Sequence, residues 1–179
     1  MDNTKRRKVE EVIWLEVRTL LIVAFFVIGQ RLFVPTVFHV AVNVMLLLVV
    51  IQVLIEPIAI VSRWAFYAGL VLDIVSGTWL GWHSILLLLA MLAVYAVLAR
   101  ITSENWLLPI VAVVLGGLTY HAFHVLFTYA LIGGFDLAKY IVVVFIPELA
   151  VILIPALPVF LLLRSWRGIR RGEVPIDVY

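Results

Sequence analysis

The chain has no cysteine, which removes disulfides, iron–sulfur clusters, thiolate zinc sites and thiol nucleophiles, and leaves the redox compartment unread. Charge is scarce as well. Asp, Glu, Lys and Arg make up 13% of the 179 residues, against roughly 25% in a soluble globular chain. With 65% apolar residues and a mean hydropathy of +1.20, the sequence excludes a water-soluble domain. Signatures of catalysis are missing too: there is no Ser-His-Asp order, no phosphate-cradling glycine loop and no H-E-x-x-H. Asp73 and Glu148 are single carboxylates on separate segments, so no acid–base pair is set by local spacing and catalysis is unsupported. The pI near 9.1 reflects an excess of only +2, and its cations sit at segment ends, which is a topology signal and not a nucleic-acid footprint.

What the chain does have is apolar length, enough for five or six spans of about 20 residues each. Reading inward from the ends, the spans are 18–34, 37–55, 58–75, 80–99, 106–131 and 140–163. Basic blocks flank the apolar body: Lys5, Arg6, Arg7 and Lys8 at one end, Arg164, Arg167, Arg170 and Arg171 at the other. The positive-inside rule then places both ends in the cytoplasm and demands an even number of crossings. Arg18, Arg63 and Arg100 also fall at inner ends, and only Arg31 and Lys139 fall outside. A five-span reading would leave 64–99 unbroken, about 54 Å of helix, too long for one crossing. No small-x-small cleavage site follows 27–31, so the first span is an uncleaved helix and not a signal peptide. The expected organisation is all-α, six transmembrane helices in one compact bundle: a basic amphipathic lead-in over 1–17, the bundle over 18–163 and a basic cytoplasmic tail over 164–179. No repeat divides it.

Polar groups within a bilayer are costly, at about 2.5–3.5 kcal/mol for a charge, so their depth is informative. Counted from the outer helix ends, Gln30 and Arg31 lie within about one turn, His39 and Asn43 one to two turns in, Asp73 and His83 near the surface, Glu148 two turns in, and His121 and His124 two to three. Only Gln52 lies toward the inner side. The cluster is either a satisfied interhelical network, in which Arg31 pairs with Asp73 or Glu148, or an outward-facing pocket. His121 and His124 share a helix face, and with Glu148 they could in principle hold a divalent metal, though no local spacing fixes a third ligand and no metal is expected. Pro147, Pro155 and Pro158 should kink the last helix. Ala90, Ala93, Ala96 and Ala99, with Gly116 and Gly117, permit close packing inside the protein or against a partner helix.

The densest punctuation is Gly69-Leu70-x-x-Asp73-x-x-Ser76-Gly77-x-x-Leu80-Gly81-x-His83. Gly69 and Asp73 share a helix face, Ser76 and Gly77 end that helix, and Gly81 and His83 open the return helix with an imidazole near the acid. This run resembles the signature of the MreD family of rod shape-determining membrane proteins, with Trp79 standing where many members have proline. The resemblance implies a scaffold of the bacterial elongation machinery in the cytoplasmic (inner) membrane. It would bind the transmembrane helix of MreC and work with MreB, RodA and RodA's transpeptidase partner in side-wall peptidoglycan synthesis, without cofactors. The family is also similar to substrate-binding subunits of energy-coupling-factor transporters, six-helix proteins with an outward-facing pocket. That likeness supplies the alternative, uptake of a vitamin or other small molecule. The Ala-x-x-x-Ala docking pattern of those subunits is missing from the first helix, whose alanine at 24 is followed by isoleucine at 28.

Overall fold

The structure is a computed structural model. It describes the backbone of residues 3–33, 42–98, 107–134 and 136–171, and the side chains of all of these except 3–9, 12, 31–33 and 166–171. No strand occurs among the described residues. The elements are α1 (Asn3–Phe33), α2 (Val44–Val53), α3 (Ile58–Ser76), α4 (Trp82–Leu98), α5 (Leu108–Leu131), α6 (Leu137–Tyr140), a π-helical turn (Ile141–Phe145) and α7 (Ile146–Arg171). The last three run on as one rod. Four stretches, Ile13–Gln30, Ile58–Ser76, Leu108–Leu131 and Leu137–Ser165, are long and apolar enough to cross a membrane.

The other two helices are shorter than expected. α4 has 17 residues, about 26 Å of helix, which is slightly under the thickness of a hydrocarbon core. α2 has 10 residues, about 15 Å, half of a crossing. Asn43 therefore does not lie one to two turns within the second helix as the sequence suggested; it is the N-cap, its side-chain oxygen accepting from Leu46 N–H at 3.1 Å. Residues 34–41, the remainder of the expected second span, lie outside the described residues. The lead-in expected before residue 18 is continuous with the first span as the opening turns of α1.

α2 occupies the centre and packs against α1, α3, α4, α5 and α7. Its side chains are apolar apart from Gln52, and Met45, Leu46, Leu47, Val49, Val50, Ile51 and Val53 are all buried, as a helix hydrophobic nearly all round requires. Outward-facing positions are also apolar: Trp14, Leu21 and Phe25 on α1, Ile154 and Leu162 on α7. A protein with oily residues on both its inside and its outside fits a lipid environment.

Small residues set the closest approaches. A Cβ on Gly116 would come within 2.4 Å of Val50 on α2, and one on Gly117 within 3.0 Å of Leu149 on α7, so both glycines serve internal packing. The alanine series on α4 does not form a stripe. Ala90 is buried, Ala93 half-buried and Ala96 exposed, because steps of three residues drift by about 60° per step around a helix; Ala99 lies outside the described residues. The last rod carries an irregularity of its own. α7 continues through Pro155 and Pro158, and the irregularity sits ahead of Pro147, where Ile146 N–H donates to Ile141 C=O five residues back. A proline ring crowds the carbonyl four residues earlier, here that of Val143, and the wider π turn spans that carbonyl.

Candidate functional site

The α3–α4 hairpin is built on Asp73, whose side chain is fully buried. Its Oδ2 accepts from Gly81 N–H at 2.7 Å. Oδ1 accepts from His83 N–H at 3.0 Å, from the Thr78 hydroxyl at 3.0 Å and from His83 Nδ1–H at 2.6 Å. The first N–H groups of a helix have no intrahelical acceptor, and here a carboxylate from the preceding helix supplies one. Asp73 thus caps α4 from the end of α3. The chain can reverse tightly enough because Gly77 closes α3 in the left-handed conformation at φ 69° and Gly81 adopts φ 93°. Ser76 donates to Leu72 C=O at 2.6 Å and its hydroxyl lies 3.0 Å from that of Thr78. Leu70 is partly buried, and Leu80 is exposed beside Trp79 at the tip.

A second buried carboxylate plays the same part for the central helix. Glu148 Oε1 accepts from Asn43 N–H at 3.1 Å, placing negative charge at the N-terminus of α2. Asn43 Nδ2 donates to the Tyr120 hydroxyl at 3.2 Å. Glu148 Oε2 lies 3.6 Å from His121 Nε2, and His121 Nδ1 lies 2.8 Å from the Tyr140 hydroxyl. Tyr120 and His121 stand at the middle of Leu108–Leu131, about one turn along α5 from His124.

The π turn explains why Tyr140 and Glu148 meet the same histidine. Residues eight apart on an uninterrupted α-helix diverge by about 80°, and a π turn adds one residue, which reduces the divergence to about 20°. Between the two clusters, Trp82 Nε1–H donates to His124 Nδ1 at 3.2 Å, and the His124 ring stacks on Tyr140 with an interplanar angle of 16°.

The single cluster expected from depth is therefore two, an Asp73–His83 group in the hairpin and an Asn43–Tyr120–His121–Tyr140–Glu148 group at the start of α2, with Trp82 and His124 between them. Gln30 joins neither; its Oε1 is buried without a hydrogen-bond partner, as is that of Gln52. His39 and the Arg31 side chain, and with them the expected pairing of Arg31 with Asp73 or Glu148, lie outside the described residues. For the metal alternative, His121 turns to Glu148 while His124 turns to Trp82, and among the described residues no three His, Asp or Glu donors converge on one position. Sequence reasoning missed Thr78, Trp82, Ser84, Tyr120 and Tyr140. Tyr120 precedes a flagged histidine and Thr78 lies inside the motif, but only packing reveals their partners.

Compared with family models, with curated proteins and with solved structures, the chain matches none.

Proposed function

We propose that the chain is a non-enzymatic membrane scaffold of the bacterial cell-elongation machinery, of the MreD type. The observation that carries this reading is the α3–α4 hairpin. Every position on which the resemblance rests falls within it, and Asp73, the acid at its centre, accepts hydrogen bonds from Gly81, His83 and Thr78 of its own turn. An acid so engaged holds the shape of the turn, which supports a structural role for it.

In this reading the chain crosses the bacterial cytoplasmic membrane six times as one compact bundle, with the hairpin at the outer face and both basic ends inside. A lateral helix face docks the transmembrane helix of MreC, and the assembly works with MreB, RodA and its transpeptidase partner. Exposed apolar side chains on α1 and α7 supply lateral faces of the right chemistry. The alternative, uptake of a vitamin or similar small molecule, draws on the buried polar group at the start of α2. Most polar atoms there are bonded to one another, which favours the scaffold.

Tagged protein should co-purify with MreC from mild detergent, and its depletion should round the cells. Protein that ignores MreC but retains a small vitamin through detergent exchange would reverse the assignment.

A further inference from the structure

The hairpin acid has all its partners within its own turn, whereas the group at the start of α2 holds one buried atom without a partner. His121 is 4% exposed, and its Nε2 makes no hydrogen bond although Glu148 Oε2 lies 3.6 Å away. Its other nitrogen lies 2.8 Å from the hydroxyl of Tyr140, a residue that is only half-buried. An imidazole with a hydroxyl on one nitrogen and a carboxylate facing the other can take a proton on one side and release one on the other. The π turn that brings Tyr140 and Glu148 onto one face is of a kind that recurs at functional sites.

We propose that Glu148 is a proton-binding site, loaded through Tyr140 and His121. In the unloaded state Tyr140 donates to His121 Nδ1, and His121 Nε2–H points at the Glu148 carboxylate. On loading, the Tyr140 hydroxyl proton passes to Nδ1 and is replaced from water. The Nε2–H bond breaks and its proton joins Glu148 Oε2. One proton enters, the imidazole changes tautomer, and the carboxylate becomes a neutral acid. Asn43 N–H then loses a charged acceptor at the N-terminus of α2, so loading loosens the anchorage of the central helix. Among the described residues the titratable groups around Glu148 are Tyr120, His121 and His124 from α5 and Tyr140 from α6. α2 contributes the non-titrating Asn43, and Asp73 and His83 bind each other within the α3–α4 hairpin. None of this depends on the elongation reading, and failure to bind MreC would leave it standing.

The test uses the full chain in phosphatidylethanolamine/phosphatidylglycerol vesicles. Infrared difference spectra between pH 8 and pH 5 should show a carboxylic-acid band that is lost in Glu148→Gln, a variant that keeps an oxygen acceptor for Asn43 N–H. The chain has four histidines, so nitrogen-15 histidine resonances can be assigned by substitution. His121 should change from the Nε2–H to the Nδ1–H tautomer along the same pH curve, read on the unsubstituted protein with Glu148 and its partners intact. Tyr140→Phe should reach the same end states but load at least tenfold more slowly after a pH jump. A band shared by wild type and Glu148→Gln, or a His121 tautomer constant over this range, overturns the site. Wild-type loading rates in Tyr140→Phe overturn the route.

Discussion

Gly69 on α3 lies so close to Ser84 on α4 that a Cβ built on the glycine would stand 2.2 Å from the Ser84 Cα. Ser84 in turn donates its hydroxyl to Phe66 C=O at 3.0 Å, tying the two helices where their backbones nearly touch. This contact fixes how Asp73, one turn further along α3, meets the start of α4.

Gly69→Ala should therefore destabilise the protein by more than ordinary overpacking, which costs about 1–3 kcal/mol, because the obstructing atoms are backbone and cannot rotate away. Thermal unfolding in detergent should show a marked fall in midpoint or failure to accumulate. A midpoint equal to wild type would mean that the helices are not in this contact.

Asp73→Asn keeps one oxygen but presents an amide N–H₂ to one of the two sides that now receive donors. With Oδ1 held by Thr78 and His83, Gly81 N–H would lose its acceptor. The expected loss is about 1–3 kcal/mol, the cost of leaving a buried donor unpaired. Asp73→Leu should be worse, since it strips acceptors from the Thr78 and His83 groups as well. Equal stability of the two variants would contradict a capping role for the acid.

Gly77→Ala places a Cβ on a residue at φ 69° with open space around it, so the penalty is conformational alone, about 1–2 kcal/mol. Gly77→Asn should recover part of that loss, because asparagine tolerates the left-handed region. Chemical denaturation of the three proteins side by side gives the ranking.

At Asn43 the usual near-equivalence of asparagine, aspartate and serine as helix caps should break down. Glu148 Oε1 is 3.1 Å from Asn43 N, so Asn43→Asp sets two carboxylates side by side in a buried site at neutral pH. Asn43→Ser should be tolerated with a loss near 1 kcal/mol from the missing Tyr120 contact, and Asn43→Asp should be clearly less stable, with the difference shrinking as pH falls and a carboxyl is neutralised.

The absence of native cysteine allows a geometric check without background. Paired cysteines introduced at His121 and Glu148 should cross-link through short bifunctional reagents, given the 3.6 Å approach of the native side chains. A cysteine pair at Leu80 and Glu148 serves as control and should not react, since Leu80 is exposed at the hairpin tip and Glu148 is buried at the start of α2.

Much of this architecture was legible because its causes are local. A glycine needed at positive φ, a serine turning its hydroxyl back on its own helix and an acid four residues after a small residue are all readable from spacing, and the hairpin follows them closely. Depth counting was less successful. It put Asn43 within a helix and grouped all polar residues together, because it assumed that every apolar stretch crosses in full. α2 begins only at Val44, and neither a hydropathy run nor a charge count marks where a helix starts when its cap is satisfied by a distant chain segment.

By itself the sequence determined that this chain is helical and apolar, that α3 and α4 form a tight hairpin, and that Asp73 is the acid of that turn, since each depends on composition or on residues a few positions apart. Only the tertiary structure decided that Glu148 caps α2 across a separation of 105 residues, that a π turn aligns Tyr140 with Glu148, and that His121 faces one while His124 faces Trp82. Those relations depend on where helices cross and how each is rotated about its axis. Both are set by side-chain volumes packed against α2, a sum over the whole protein that no local pattern records.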